Sequence, residues 1–258
     1  MDTKYERILA RLKEQTATQS ITIEFNGRPS SLQSSAVGGQ PYLDPGEEAP
    51  RSADGAPMVF LAQINLAELP ANDLLPGTGM LQFFIGSDDL LGATDFEDMR
   101  KNSFRVIHRD SIDPSVTTSA YALPEDANHP FDSTEGVGLA FSLGQQAITF
   151  EDYRFDDALE RAVMDEIDDT DDPDAVIDEC RDIFYDIPTV DGHHIGGYPR
   201  LLQDDPRTEE EDLDVLLLQI DTEEPIMWGD LGVGTFFISA ADLKALGFSR
   251  VGYTWCCC

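Results

Sequence analysis

The chain contains its own likeness. Gly79–Leu90 reads GMLQFFIGSDDL and Gly232–Leu243 reads GVGTFFISAADL; without a gap, 6 of 12 positions are identical, among them Phe83/Phe236, Phe84/Phe237 and Ile85/Ile238. Ordinary residue frequencies would give about one match. Two earlier matches keep the same order. Gly38-Gly39-Gln40-Pro41-Tyr42-Leu43 answers to Gly196-Gly197-Tyr198-Pro199-Arg200-Leu201, and Phe60–Asn65 answers to Leu217–Asp221 when Gln63 is set on Gln219. The spacing shortens from 158 residues (Gly38 to Gly196) to 156 (Gln63 to Gln219) to 153 (Gly79 to Gly232). Small length changes in connecting loops account for that drift. Each copy reads as a Gly-Gly-x-Pro turn, a strand ending in Gln-Ile-Asn/Asp and a strand ending in Phe-Phe-Ile. A repeated pattern of this kind predicts two similar halves packed as one body.

The remaining elements follow from periodicity. Tyr5, Ile8, Leu9 and Leu12 make one apolar stripe, so Lys4–Gln15 reads as an amphipathic helix. Strands are expected at Ile21–Phe25, Met58–Ile64, Met80–Ile85, Phe104–Arg109, Leu139–Leu143, Val215–Ile220, Val233–Ile238 and Arg250–Cys256, with Ala147–Phe150 a further candidate. Met58–Ile64 is almost continuously apolar, which predicts burial on both faces. Asn65 reads as the cap of a short helical turn, with Glu68 three residues on. Residues 151–186 read as helical: Phe155, Leu159, Ala162, Val163 and Ile167 share one face, and Val176, Ile177, Cys180 and Phe184 another. Asp172 and Pro173 open the second of these helices. Ser239 caps a last helix that Gly247 ends. Strand runs broken by a helical insert indicate an α+β fold, a strand-rich single domain of two pseudo-symmetric repeat units. The expected organisation is an N-terminal helix at 1–19 and a domain at 20–258. Within it, unit one covers about 36–91, middle strands and helices 100–190, and unit two about 192–247.

Charge narrows the function classes. The chain carries 50 acidic and 17 basic residues, a formal net charge of -33. Such a field repels nucleic acid and anionic membranes and favours a basic protein partner. Asp-rich, Lys-poor composition also fits adaptation to high salt, where screening relieves self-repulsion. No 18-residue apolar run and no secretory leader is present, and Cys180 with Cys256-Cys257-Cys258 does not form a disulfide framework, so a reduced cytoplasmic protein is expected.

Catalytic patterns are absent: no GxSxG elbow, no phosphate-cradling Gly loop, no HExxH or CxxC. The acidic run Asp168–Asp174 half-fits a calcium loop, but Pro173 stands where the bend requires Gly. His193-His194 could contribute to a metal site but lacks further ligands at a recognisable spacing, and reads as a turn before Gly196-Gly197. A Cys nucleophile with a His base is weak, since Cys180 lies on an apolar helix face. No cofactor, metal site or catalytic residue is therefore assigned. The candidate ligand- or partner-binding residues are Gln63, Asn65, Gln219, Asp221, Trp228, Asp230 and His193. The two glutamines recur at one place in each copy and must find partners if buried, in their own turn or across the pseudo-twofold. Trp228-Gly229-Asp230-Leu231-Gly232 suits either a rigid turn around a buried aromatic or a contact loop.

These segments also carry a family likeness. Gly38-Gly-Gln-Pro-Tyr-Leu43, Phe60-Leu-Ala-Gln-Ile-Asn-Leu66, Gly79-Met-Leu-Gln-Phe-Phe84, Gly192-His-His-Ile-Gly-Gly-Tyr-Pro199, Gln203-Asp-Asp-Pro-Arg207, Leu218-Gln-Ile-Asp221 and Trp228-Gly-Asp-Leu-Gly232 resemble the YwqG-like family, from about residue 20 onward. The resemblance implies one compact, strand-rich α+β domain with internal pseudo-symmetry and no established activity. For some members the resemblance implies a place near toxin–immunity gene clusters, and with it protein binding. This chain departs in its acidity, in His194 where Lys is usual, and in a short Gly-rich loop before Pro41. The expectation is a non-enzymatic binding module, immunity-like in role; the alternative is a hydrolase or transferase at the junction of the units, using Asp230, Asp221 or His193.

Overall fold

In the computed structural model, which describes residues 3–95, 98–123, 125–168, 170–185, 191–209 and 211–257, ten strands form one antiparallel sheet. They are β1 (Thr18–Phe25), β2 (Ala36–Val37), β3 (Val59–Asn65), β4 (Met80–Ile85), β5 (Phe104–Arg109), β6 (Val137–Gln146), β7 (His193–Gly196), β8 (Val215–Asp221), β9 (Val233–Ile238) and β10 (Gly252–Cys256). The order across the sheet is β10-β9-β8-β7-β1-β6-β2-β3-β4-β5. Read outward from the central pair β1–β6, it meets β7 on one side and β2 on the other, then β8 and β3, then β9 and β4. The repeated segments thus occupy matching places. Even the irregularity matches: the β3–β4 ladder slips between Phe60 and Ala62, and the β8–β9 ladder between Leu216 and Leu218.

The sheet curls until its two halves face each other. Phe83 of β4 meets Phe236 of β9 edge-on at 5.0 Å, within one core that also takes Leu61, Ile85, Leu217 and Ile238. Their neighbours along each strand point the other way, as a two-residue period requires. Phe84 packs on Phe60 outside β3–β4, and Phe237 joins Leu216, Leu213 and Met99 outside β8–β9. The strand ends nearly meet: Asn102 Nδ2, just before β5, donates to the Tyr253 carbonyl of β10 at 2.7 Å, and Phe104 lies 5.7 Å from the Tyr253 ring. The sheet is therefore almost a barrel, with a seam between β5 and β10.

Helices α1 (Thr3–Thr16), α2 (Phe155–Glu166) and α3 (Pro173–Tyr185) build a separate core from Tyr5, Ile8, Leu12, Phe155, Leu159, Val163, Val176, Cys180 and Phe184. These are the stripes that the periodicity predicts. The acidic run belongs to this packing, since Asp171 in the α2–α3 link pairs with Lys4 of α1 at 3.2 Å. Asp169 lies outside the described residues. No helix among the described residues is long and apolar enough to cross a membrane.

Several local expectations need correction. Ala147–Phe150 is not a strand: β6 stops at Gln146, and the Ile148 N–H turns to the Thr16 hydroxyl while its side chain joins the helical core. Helix α4 (Ala240–Lys244) is capped by Ser239 as expected, but Leu246 with φ 54° takes the left-handed position that ends it. Gly247 follows, donating to the Asp242 carbonyl. Asn65 does cap a 3-10 turn through Ala67 N, whereas Glu68 does not return to Asn65; its carboxylate accepts the Ser35 N–H. His193 and His194 are residues of β7 itself, not of a turn before it. The turn is Gly196-Gly197, both at positive φ, where a side chain would strain the backbone.

The two buried glutamines explain why each Gly-Gly-x-Pro segment stays beside its strand. The Gln63 Oε1 accepts Tyr42 N at 2.9 Å and its Nε2 donates to the Ser34 carbonyl at 2.8 Å. The Gln219 Oε1 accepts Arg200 N at 2.8 Å and its Nε2 donates to the Gly192 carbonyl at 2.9 Å. In these bonds each glutamine ties its strand to the Gly-Gly-x-Pro segment of the same copy. Replacing either by Leu leaves a buried N–H and carbonyl unpaired, at about 1–3 kcal/mol for each group. Gln63→Leu and Gln219→Leu should therefore each lose about 2–6 kcal/mol in urea unfolding, by similar amounts.

Candidate functional site

The sequence-selected residues differ in exposure. Gln63, Gln219, Asp221, Trp228 and His193 are buried, Asn65 is half-buried, and Asp230 is exposed. His193, Asp221 and Gln219 do come together at the end of β8. The Asp221 N–H donates to His193 Nδ1 at 2.9 Å, which leaves the ring proton on Nε2, facing Glu223 at 3.1 Å. Unit one repeats this bond with a hydroxyl: the Asn65 N–H donates to Ser35 Oγ at 2.8 Å. The Asp221 carboxylate accepts Gly192 N and pairs with Arg200, which also reaches Asp191. Asn65 makes the opposite bond, donating its side-chain amide to the Gln33 carbonyl.

This network leaves no basic nitrogen free at His193. Burial lowers its pKa more than Glu223 restores it, so the ring is neutral. His194 points to the other face of β7, as neighbours in a strand do. Its Nε2 faces the Tyr198 carbonyl at 3.0 Å, and burial pushes its pKa down to about 4. The two imidazoles cannot ligate one ion from opposite faces. Among the described residues no group of His, Cys, Asp and Glu is placed to hold a metal. Burial also raises Cys256 and pushes the Cys180 thiol up to about 11, which keeps both protonated. Trp228 is fully buried against Gly234, where an added Cβ would lie 2.5 Å from the indole. Its turn is held by Thr222, whose hydroxyl accepts Trp228 N and donates to the Gly232 carbonyl.

A cleft with stronger chemistry lies beside this network. It has a volume of about 680 Å3 and is lined by residues 150–153, 155–156 and 201–205 with Tyr185. Its walls carry Glu151, Asp152, Asp156, Asp204 and Asp205 and, among the described residues, no basic side chain. Phe150 and Tyr185 pack at 4.7 Å at one side, and Tyr185 is 65% exposed. The Gln203-Asp204-Asp205-Pro206-Arg207 segment forms part of the wall because Arg207 is anchored beneath it. Arg207 donates to Asp152 at 2.8 Å and Asp205 at 2.7 Å, and its guanidinium stacks 4.4 Å from the Phe237 ring. Burial would raise the Asp152 carboxyl, but Arg154 and Arg207 outweigh it and hold it below the usual range. Glu151 behaves oppositely. Burial pushes it up to about 6, against the opposing pull of the Leu201 N–H and Arg200. A perturbed carboxyl in a cleft marks a functional candidate. Sequence reading singled out none of the cleft's carboxylates, because they do not stand out among 50 acidic residues. The one available signal was the Gln203–Arg207 motif, whose Arg has to be neutralised if buried.

With this geometry in place, the family comparison has a clear subject. A family model described as "Domain of unknown function (DUF1963)" matches residues 35–257, so the chain belongs to that family. No curated protein matches the chain.

Two outcomes test the cleft's electrostatics. Arg207→Met would leave Asp152 and Asp205 buried without their shared cation, at about 3–5 kcal/mol, read as a lower urea midpoint. Glu151 has a folded pKa above its ordinary value, so its stabilising effect is complete below about pH 4.5 and is lost as pH rises through about 6. Glu151→Gln should then be more stable than the parent at pH 8, by about 1 kcal/mol after discounting for solvent screening. Thermal melts from pH 4 to 8 should show that gap closing in acid.

Proposed function

We propose that this member of the DUF1963 family is a non-enzymatic binding module whose acidic cleft receives a basic segment of a protein partner. The observation that carries this reading is the cleft's lining: carboxylates and ring faces together, with no basic side chain among the described residues. A guanidinium or ammonium gains charge-assisted hydrogen bonds from carboxylates and cation–π attraction from aromatic faces. A volume of about 680 Å3 is in the range of pockets that enclose a small ligand or a side chain or two. The net charge of -33 would speed encounter with such a partner at low salt. Within the family we favour a YwqG-like, immunity-like role, in which the module sequesters its partner. We also read the matching halves as descendants of one duplicated unit, supported by the strand order and the paired glutamines.

The engaged nitrogens of His193 and the exposed, separate position of Asp230 lend no support to the hydrolase or transferase alternative. The test is fluorescence anisotropy of a labelled hexa-arginine peptide against the whole chain. Asp204→Asn/Tyr185→Ala should weaken binding about tenfold. Glu14→Gln, which removes one exposed charge from α1, should not. Equal loss in both variants would reduce the interaction to net charge alone and overturn the cleft reading.

A further inference from the structure

The seam between β5 and β10 holds a second cleft of opposite character. It has a volume of about 480 Å3 and is lined by Arg100, Arg105 and His108 from the first half and by Leu246, Phe248 and Ser249 from the second. Among the described residues no Asp or Glu lines it, in a chain with 50 acidic residues. Both halves are needed to form it: β5 supplies one wall, and the turn after α4 supplies the other. Phe104, Val106 and Phe248 make an apolar floor, with the Phe248 ring 5.4 Å from His108.

The basic groups here differ from most others in the molecule. Arg109, Arg154, Arg181, Arg200 and Arg207 each hold one or two carboxylates. Arg100 and Arg105 form no ion pair among the described residues. The protein's bond to the Arg100 guanidinium is a long one, 3.5 Å to the Glu211 carbonyl, and its Nε is buried without a partner. Among the described residues Arg105 donates to the adjacent Phe104 carbonyl alone, at 3.1 Å, and lines the cleft from the edge strand. The nearby Asp98 feels the Arg100 charge but forms no ion pair with it; its carboxylate accepts the Arg100 backbone N–H and pairs with Lys101. His108 Nε2 is also buried without a partner, while Nδ1 faces Asp110 at 3.5 Å.

We infer that the seam cleft binds a small organic oxyanion, a carboxylate or phosphate carried on an apolar body. The apolar floor would take the body and the two guanidiniums the anionic group, whose planar forks match both oxyanions. The volume is that of a small-molecule site. The excess negative charge lies outside this cleft and is screened at moderate salt.

The inference is independent of the acidic cleft and is tested separately. The whole chain is titrated with phenyl phosphate and with benzoate by isothermal calorimetry, in about 0.3 M salt. Benzyl alcohol and benzylamine serve as the neutral and cationic controls. The anionic probes should bind saturably and more tightly than either control, and the tighter of the two identifies the favoured oxyanion. Arg100→Gln and Arg105→Gln should each weaken that probe about tenfold. Arg105 is exposed, so Arg105→Gln alone gives the readout if the Arg100 variant does not fold. Absence of saturable anion binding, a control that binds as tightly as the anions, or unchanged affinity in folded Arg105→Gln would each overturn the assignment.

Discussion

Contact between Phe83 and Phe236 across the interior is what the architecture depends on. Each ring belongs to a strand buried on both faces. Putting those strands face to face forces a single antiparallel sheet to curl, because its middle strands, β1 and β6, must bridge the two halves. Edge-on packing of two rings adds about 0.5–1.5 kcal/mol beyond area burial. Its larger effect is geometric. Once these strands meet, β5 and β10 are carried toward each other, and Phe104 and Tyr253 complete the core from the two ends.

The matching halves were legible because buried strands constrain their residues tightly. Phe-Phe-Ile can sit only where alternate side chains have apolar surroundings on both faces, and the polar side chain at Gln63 and Gln219 is kept by the backbone groups it satisfies. A local pattern of this kind can be read from one chain. The central pair was harder. Both β1 and β6 read as strands but not as the hinge of the sheet, since β6 lies between the repeated segments and its second half, from Ser142 to Gln145, is exposed. His193 was misplaced for a related reason: a short strand of four residues, flanked by glycines, has the composition of a turn.

The sites were less legible than the fold, and charge explains why. In a chain with threefold more acids than bases, an individual Asp carries little information. Asp152 and Asp205 become distinct only when folding buries them on Arg207, across 55 and 2 residues of sequence respectively. Glu151 precedes Asp152 in the chain, yet the two titrate in opposite directions. Two cations lie against Asp152, whereas Glu151 has a backbone N–H and a more distant Arg200. Arg154 is local to Asp152, two residues on, but Arg207 arrives from 55 residues away and Arg200 reaches Glu151 only through the fold, so local sequence encodes part of that difference at most.

The scarce bases are therefore the better guide to function. Where carboxylates abound, most arginines hold one; among the described residues Arg51, Arg100, Arg105 and Arg161 form no ion pair, and of these Arg100 and Arg105 share a cleft. Arg154 and Arg207 follow the rule, and they stabilise the floor of the acidic cleft. Arg100 and Arg105 do not, and both line the seam where the sheet stops short of closing. A closed barrel would have replaced that seam with ladder hydrogen bonds and left no room for a ligand. Stopping short exposes an edge strand, a liability that proteins commonly blunt with charged side chains. Arg105, curled onto the Phe104 carbonyl, supplies such a charge. Edge protection alone would be served as well by an arginine already paired with a carboxylate. It does not account for a second unpaired arginine in the same cleft, nor for an apolar floor reaching from Phe104 to Phe248.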